Sequence, residues 1–253
     1  MTTDPRRRQA HWERGVSKRF VFRQVCSRDL QTFLDDGEIR AKNHPTPQRV
    51  HQTSYANIVE TRGTSIFTLP HGGVVNDYVP FYFSPLTSFT YTISQGNADL
   101  RCPDNNVLGK AQDDERIFFV CEVDGFSGSN LHYCFSDLAL NTAAPMPTLE
   151  ANLSNLHQHV AWHVFDDSPY KAQIPEIGYQ GVCQYFNSRP IPQKYLIRSK
   201  QRMAEFLVKS AVPLSMVTCV VTRSPQMQQT LETIMQSSNW NIPVFAKPGC
   251  YFS

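Results

Sequence analysis

The chain has 253 residues, of which 41% are hydrophobic and 18% charged, with a formal net charge of +2. That length can bury a core within one domain, and the composition excludes a wholly disordered chain, a coiled coil and a collagen-like repeat. Apolar runs such as IFFVC at 117–121 fall far short of the roughly 20 residues a bilayer span requires. The arginines of the N-terminus have no apolar stretch behind them, so no secretory signal is read and a soluble, cytoplasmic protein is expected.

Residues 1–19 read as a basic arm, and residues 20–253 as a single domain. The first ordered element is expected as a strand over 19–25 (RFVFRQV). A short helix over 28–36 follows, with Ser27 as N-cap, Leu30, Phe33 and Leu34 on one face, and Gly37 where a left-handed residue is wanted. HPTPQ at 44–48 cannot continue a helix, and 49–60 could form another, with Val50, Tyr55, Ile58 and Val59 apolar. LPHGGVVND at 69–77 reads as a loop. DYVPFYFSP at 77–85 reads as an aromatic extended segment broken by Pro80. Strands are expected at 116–123, 204–209 and 215–222. Ser224 and Pro225 then start a helix whose apolar face is Leu231, Ile234 and Met235, and 241–247 closes the chain as a strand. The 141–195 stretch is mixed in pattern. Helices early and strands grouped later make α+β the expected class.

Charge is unevenly placed. Residues 1–19 hold Arg6, Arg7, Arg8, Arg14, Lys18 and Arg19 against Asp4 and Glu13, while 194–209 hold Lys194, Arg198, Lys200, Arg202 and Lys209 against Glu205 alone. Between them, 104–137 carry seven acids against Lys110 and Arg116. Such a molecule can present a positive face to a polyanion, although solvated surfaces and a basic tail explain the same pattern. The seven cysteines lack metal-type spacing and read as reduced, mostly buried thiols.

The sequence lacks G-x-G-x-x-G, G-x-x-x-x-G-K-[ST], H-E-x-x-H and G-x-S-x-G, so hydride-transfer, kinase-type, zincin and α/β-hydrolase chemistry has no support. His159 and His163 have the spacing of a helical metal pair, but with no third ligand evident they read as polar faces of a helix beside Trp162, and no metal is expected. Two features stand out. Glu205, in SKQRMAEFLVKSAVP, is a lone acid among cations, either a salt-bridge partner or a carboxylate facing a pocket at a strand's edge. DYVPFYF is either a core strand or a stacking platform for a planar base.

SYANIVETRG at 54–63, GGVVNDYVPFYFSP at 72–85, AEFLVKSAVP at 204–213 and KPGCYF at the end resemble the DarT family, toxins that transfer ADP-ribose from NAD to bases in single-stranded DNA. The resemblance runs from about residue 20 to the C-terminus. It implies a split central β-sheet of the ADP-ribosyltransferase type with flanking helices, NAD as co-substrate, and a macrodomain, DarG-like antitoxin as partner alongside single-stranded DNA. It also implies Glu205 and Arg62 as catalytic residues, and Arg23, Val25, Leu30, Tyr55, Tyr78, Phe81, Phe83 and Phe89 as the NAD site. Many members open the first strand with H-x-T where this chain has Arg23 and Val25, and carry P-R-S-P-M-L-Y where it has PLTSFTY, with Leu86 for the arginine and Phe89 for the methionine. A buried carboxylate suits the reaction, because breaking the nicotinamide–ribose bond develops positive charge on the sugar. Thymine is the expected base, with guanine the alternative. The rival expectations are a nucleic-acid-binding module that no longer turns over NAD, or transfer to RNA or protein.

Overall fold

The structure, a computed structural model, describes residues 18–53, 56–64, 66–187 and 195–252. The expected arm through residue 17, Tyr55 and Lys194 lie outside the described residues. In chain order the elements that place the site are β1 (Phe20–Cys26), α1 (Leu30–Asp36), β2 (Glu38–Arg40), α2 (Ala56–Arg62), β3 (Tyr78–Tyr82) and α3 (Ser88–Ser94). A hairpin of β4 (Asp99–Arg101) and β5 (Val107–Lys110) leads to β6 (Arg116–Glu122), β7 (Tyr133–Ser136) and β8 (Leu149–Glu150). Then come α4 (Leu156–His159), β9 (Tyr170–Lys171), β10 (Val182–Cys183), α5 (Arg198–Gln201), β11 (Glu205–Lys209), β12 (Ala211–Pro213), β13 (Cys219–Thr222), α6 (Pro225–Gln236) and β14 (Val244–Ala246).

Eight of these strands form one sheet in the order β14-β13-β6-β1-β3-β11-β7-β8, antiparallel except for the parallel β13–β14 pair. The mixed α+β class with helices around a central sheet is therefore as expected. Burial explains why β6 is central: all but the last of its residues are buried, which suits a strand covered on both faces. β1 and β6 pair over seven positions, and β3 and β11 over five. Between those two blocks, β1 and β3 share a single register pair, Phe22 opposite Tyr82. The sheet is split there.

Pro80 does not break the extended segment; β3 runs through it, opposite Leu207 of β11. Proline has no N–H to give to a ladder and is normally confined to strand edges. Here it stands beside the split, where β1 has already diverged and no ladder bond is lost.

Local signals explain the helix ends. Gly37 closes α1 with φ +70° and its N–H on the Phe33 carbonyl, as expected for a left-handed C-terminal residue. The helix itself begins later than expected, after a 3-10 turn at 27–29. Ser224 caps α6 by accepting from the Met227 N–H. The expected helix over 49–60 is corrected: Gln52 exchanges two backbone hydrogen bonds with Arg101, so 49–53 is extended and the helix is Ala56–Arg62. The 159/163 pair does not share a helix face either, because α4 ends at His159 and Val160 is extended.

The described part of 141–195 contributes to the core through Val160, Val164, Phe165, Ile174 and Val182, which are buried in the main cluster. The second basic segment is not a solvated face. Arg198 and Arg202 are both 0% exposed. Arg198 pairs with Asp167 at 2.8 Å, while Arg202 donates to the carbonyls of Cys183, Tyr185 and Leu86 and to Ser84 Oγ at 2.8–2.9 Å. Each closes a loop that would otherwise leave buried carbonyls unpaired. Near the end of the chain the Tyr251 hydroxyl lies 2.9 Å from the Arg116 carbonyl and 3.1 Å from that of Val221, joining β6 to β13. All seven cysteines are free, six of them buried.

Candidate active site

The split opens a cavity of about 290 Å³, lined among others by Arg23, Val25, Arg62, Pro80, Tyr82, Phe89, Arg116 and Glu205. Glu205, 2% exposed, is the first residue of β11 and sits opposite Tyr82, which in turn faces Phe22 across the split. Its backbone N–H donates to Ser136 Oγ at 2.9 Å, and that hydroxyl donates to the Leu138 carbonyl. The strand start is thereby fixed from β7, the segment that reads FSD in the sequence.

Arg62, at the C-terminal end of α2, reaches Glu205 through both terminal nitrogens, at 2.8 and 2.7 Å to the two carboxylate oxygens. A planar guanidinium matches a carboxylate in this two-pronged way and fixes its orientation. Burial disfavours the Arg62 cation, but the charge and hydrogen bonds of Glu205 outweigh it and its pKa rises. Burial, with the nearby Glu205 charge adding to it, pushes the Tyr82 phenol up, so it is protonated at neutral pH. Burial beside Arg62 brings Arg23 down to about 10, which leaves it cationic. Its Nη1 donates to the Pro80 carbonyl at 3.0 Å, bridging the split.

The structure therefore brings together Glu205, Arg62, Arg23, Val25 and Phe89 around one cavity. It does not place Leu30, Tyr78, Phe81 or Phe83 there. Leu30, Phe81 and Phe83 lie in the main core, and Tyr78 is buried in a second cluster with its hydroxyl on the Gly72 carbonyl. Strand alternation is the reason: along β3 and just past it, Pro80, Tyr82 and Ser84 face the cavity while Val79, Phe81 and Phe83 face the core. DYVPFYF is a core strand with a functional face, and Tyr82 is the aromatic on that face. Sequence reasoning also missed Arg116, Gln24, and the pair Asp29–His51, in which His51 Nδ1 lies 2.6 Å from Asp29 Oδ1 and the His51 N–H donates to Oδ2 at 2.8 Å. Period-two alternation from Arg23 and Val25 would not have found Gln24, which also lines the cavity. Cys26, Asp29 and His51 form the one cluster of metal-capable groups among the described residues. Buried Arg116 beside it carries a charge of the wrong sign for a cation site.

A family model for "ssDNA thymidine ADP-ribosyltransferase, DarT" matches residues 22–252. The chain belongs to the DarT family. It is 38% identical over 68 residues to a DNA ADP-ribosyl transferase of Thermus sp. (strain 2.9), a match spanning 27% of this chain and 32% of that protein. Against the DNA ADP-ribosyl transferase of Escherichia coli O127:H6 it is 20% identical over 93% of this chain and 94% of the relative. Its fold matches Thermus sp. 2.9 DarT in complex with ADP-ribosylated ssDNA with a TM-score of 0.72 at 20% identity, covering 92% of this chain and 96% of that one. The same Thermus protein in complex with NAD+ matches with a TM-score of 0.67 at 20% identity, over 92% and 97% of the two chains. Three of the DarT-like strings border the split: SYANIVETRG carries Arg62, DYVPFYFSP contains β3, and AEFLV carries Glu205 at the start of β11.

Among the described residues, no helix is long and apolar enough to cross a membrane.

Proposed function

We propose that this chain transfers the ADP-ribose of NAD to thymine in single-stranded DNA, as the cytoplasmic toxin of a pair completed by a macrodomain antitoxin. Family membership supports the reaction class. The observation that carries the reading for this chain is the Glu205 carboxylate, buried at the mouth of the split and oriented by Arg62.

In the reaction the bond from ribose C1′ to the nicotinamide nitrogen breaks, and nicotinamide leaves with the bonding electrons. A base nitrogen supplies the pair for the new bond to C1′ and gives up its proton. Positive charge accumulates on the ribose between those events. A fixed carboxylate that is itself buried stabilises that charge far more than bulk solvent would. Arg62 holds both oxygens of the Glu205 side chain and fixes the face it presents to the sugar. The same carboxylate can accept a ribose hydroxyl. Tyr82, protonated and next to Glu205, is a donor to the sugar or to the departing amide. Unpaired DNA suits this geometry because no base has to be extracted from a duplex.

The test is incubation with labelled NAD and single-stranded oligonucleotides of mixed sequence, beside Glu205→Ala. Label on DNA that disappears in the variant, and a digest showing modified thymidine, is the expected result. Label on guanine, RNA or protein would move the target, and no label anywhere would overturn the reading.

A further inference from the structure

Three aromatic rings from distant parts of the chain meet at the surface beside α3. Tyr91 of α3 lies 5.1 Å from Phe186, which follows β10, and 5.3 Å from Phe252 near the chain end, while Phe186 and Phe252 lie 5.0 Å apart. The contacts are tilted and edge-on, arrangements that aromatic rings prefer. Tyr91 nevertheless remains 40% exposed, and Tyr185, adjacent in sequence to Phe186, is exposed as well. Beside the rings opens a second cavity of about 170 Å³, lined by Leu86, Lys171, Gln184, Tyr185, Tyr251 and Phe252.

The cluster is not needed to fasten the chain end, because the buried Tyr251 hydroxyl already does so on β6 and β13. Nor is it loosely held. Arg202 and Arg198 both donate to the Tyr185 carbonyl, at 2.9 and 3.1 Å, which fixes the segment carrying Phe186. A ring surface held in this way loses little entropy when something packs on it. Its charge is one-sided too: the lining carries Lys171, exposed and in no ion pair among the described residues, and no acid. An aromatic face with a cation at its margin suits a planar base joined to a phosphate.

Position decides what brings such a base there. Ser88, Phe89, Thr90 and Thr92 of α3 line the catalytic cavity, and Tyr91 among them belongs to the ring cluster. One helix, about 10 Å across, separates the two places. We propose that Tyr91, Phe186 and Phe252, with Lys171 at their edge, form a stacking platform that holds an unpaired base of the acceptor strand a few nucleotides from the reacting one. That the strand is DNA rests on the reading above. Stacking accepts any base, so the platform adds grip on single strands without reading sequence.

The test is fluorescence anisotropy of the full chain with a long single-stranded oligonucleotide and with one of only a few nucleotides around the same target base. Wild type is expected to hold the long strand more tightly. Tyr91→Ala and Phe186→Ala should each lower long-strand affinity about tenfold and narrow the gap to the short strand. Tyr91→Phe, which keeps the ring, should retain most of the affinity. Lys171→Gln should reduce the slope of log affinity against log salt by about 0.7, the value for one phosphate of a single strand. Should Phe186→Ala fail to fold, the surface substitutions Tyr91→Ala and Lys171→Gln carry the comparison. Equal losses on both lengths would overturn the platform, because the rings would then act on the cavity through α3. Unchanged long-strand affinity would overturn it as well and leave the rings to a protein partner. A wild type that binds long strands through the rings yet transfers no label to DNA would keep the platform and overturn the acceptor reading.

Discussion

Arg62 and Glu205 stand 143 positions apart in sequence and meet through two parallel hydrogen bonds at 2.8 and 2.7 Å, with the carboxylate almost wholly buried. Each residue is costly without the other. Together they form an oriented anion in a low-dielectric cleft.

Glu205→Gln keeps the shape and removes the charge. We expect turnover to fall by about 10²–10³, the scale seen when one stabilising group of this kind is lost, while donor binding changes much less. Arg62→Ala leaves a buried carboxylate alone and should destabilise the protein by about 3–5 kcal/mol. Single-turnover kinetics and urea unfolding read these two effects. Normal turnover in Glu205→Gln would remove Glu205 from the mechanism.

Ser136 is a positioning residue. Its hydroxyl joins the Glu205 N–H to the Leu138 carbonyl, so Ser136→Ala strands two buried groups at a cost of about 1–3 kcal/mol. Turnover should drop through misplacement of Glu205, with KM for the donor little altered. Ser136→Thr should restore part of the rate, which a merely destabilising change would not allow.

The buried arginines of 198–209 are structural. Asp167→Ala would leave the buried Arg198 guanidinium without its carboxylate and should cost about 3–5 kcal/mol. Arg198→Gln, at a concentration where it stays folded, should leave the salt dependence of DNA binding unchanged. A flatter salt slope in that variant would put Arg198 on the DNA.

Burial raises the Asp113 carboxyl to about 6. The folded state therefore binds this proton more tightly than the unfolded chain, whose carboxyl titrates near the ordinary value of 3.8. Stability falls as pH rises from about 4 to about 6 and then levels, because the ionised form is disfavoured inside. Asp113→Asn should raise stability at pH 7.5 by about 1 kcal/mol, a figure discounted for partial solvent screening. The gain should vanish near pH 4. Thermal unfolding across that range checks both the size and the sign.

Much of the fold was legible because it depends on local patterns. β1, α1 with Gly37, β6, β13 and the Ser224-capped α6 all follow from alternation, helical spacing and caps. Glu205 and Arg62 were legible as family-like strings, but their direct pairing was not, since nothing local records a contact across 143 positions. Charge counting misread 194–209 because a tally cannot distinguish Lys200, whose ammonium reaches the Ala144 carbonyl at the surface, from Arg202, sealed among carbonyls. The aromatic string misled for a related reason. Its density signals burial, and only the parity of the strand shows that Tyr82 and not Phe81 or Phe83 meets the cavity.

The Tyr251 bridge fastens β6 to β13 from a residue made long after either strand. Arg62, β1 and β6 all emerge from the ribosome early, yet the carbonyl of Arg116 finds its hydroxyl only when residue 251 has been made. β14, the only parallel partner in the sheet, arrives equally late. A nascent chain holding every strand up to β11 still has β6 as a bare sheet edge, because its partner β13 has not been made. Long-range closure of this kind makes assembly slow and cooperative.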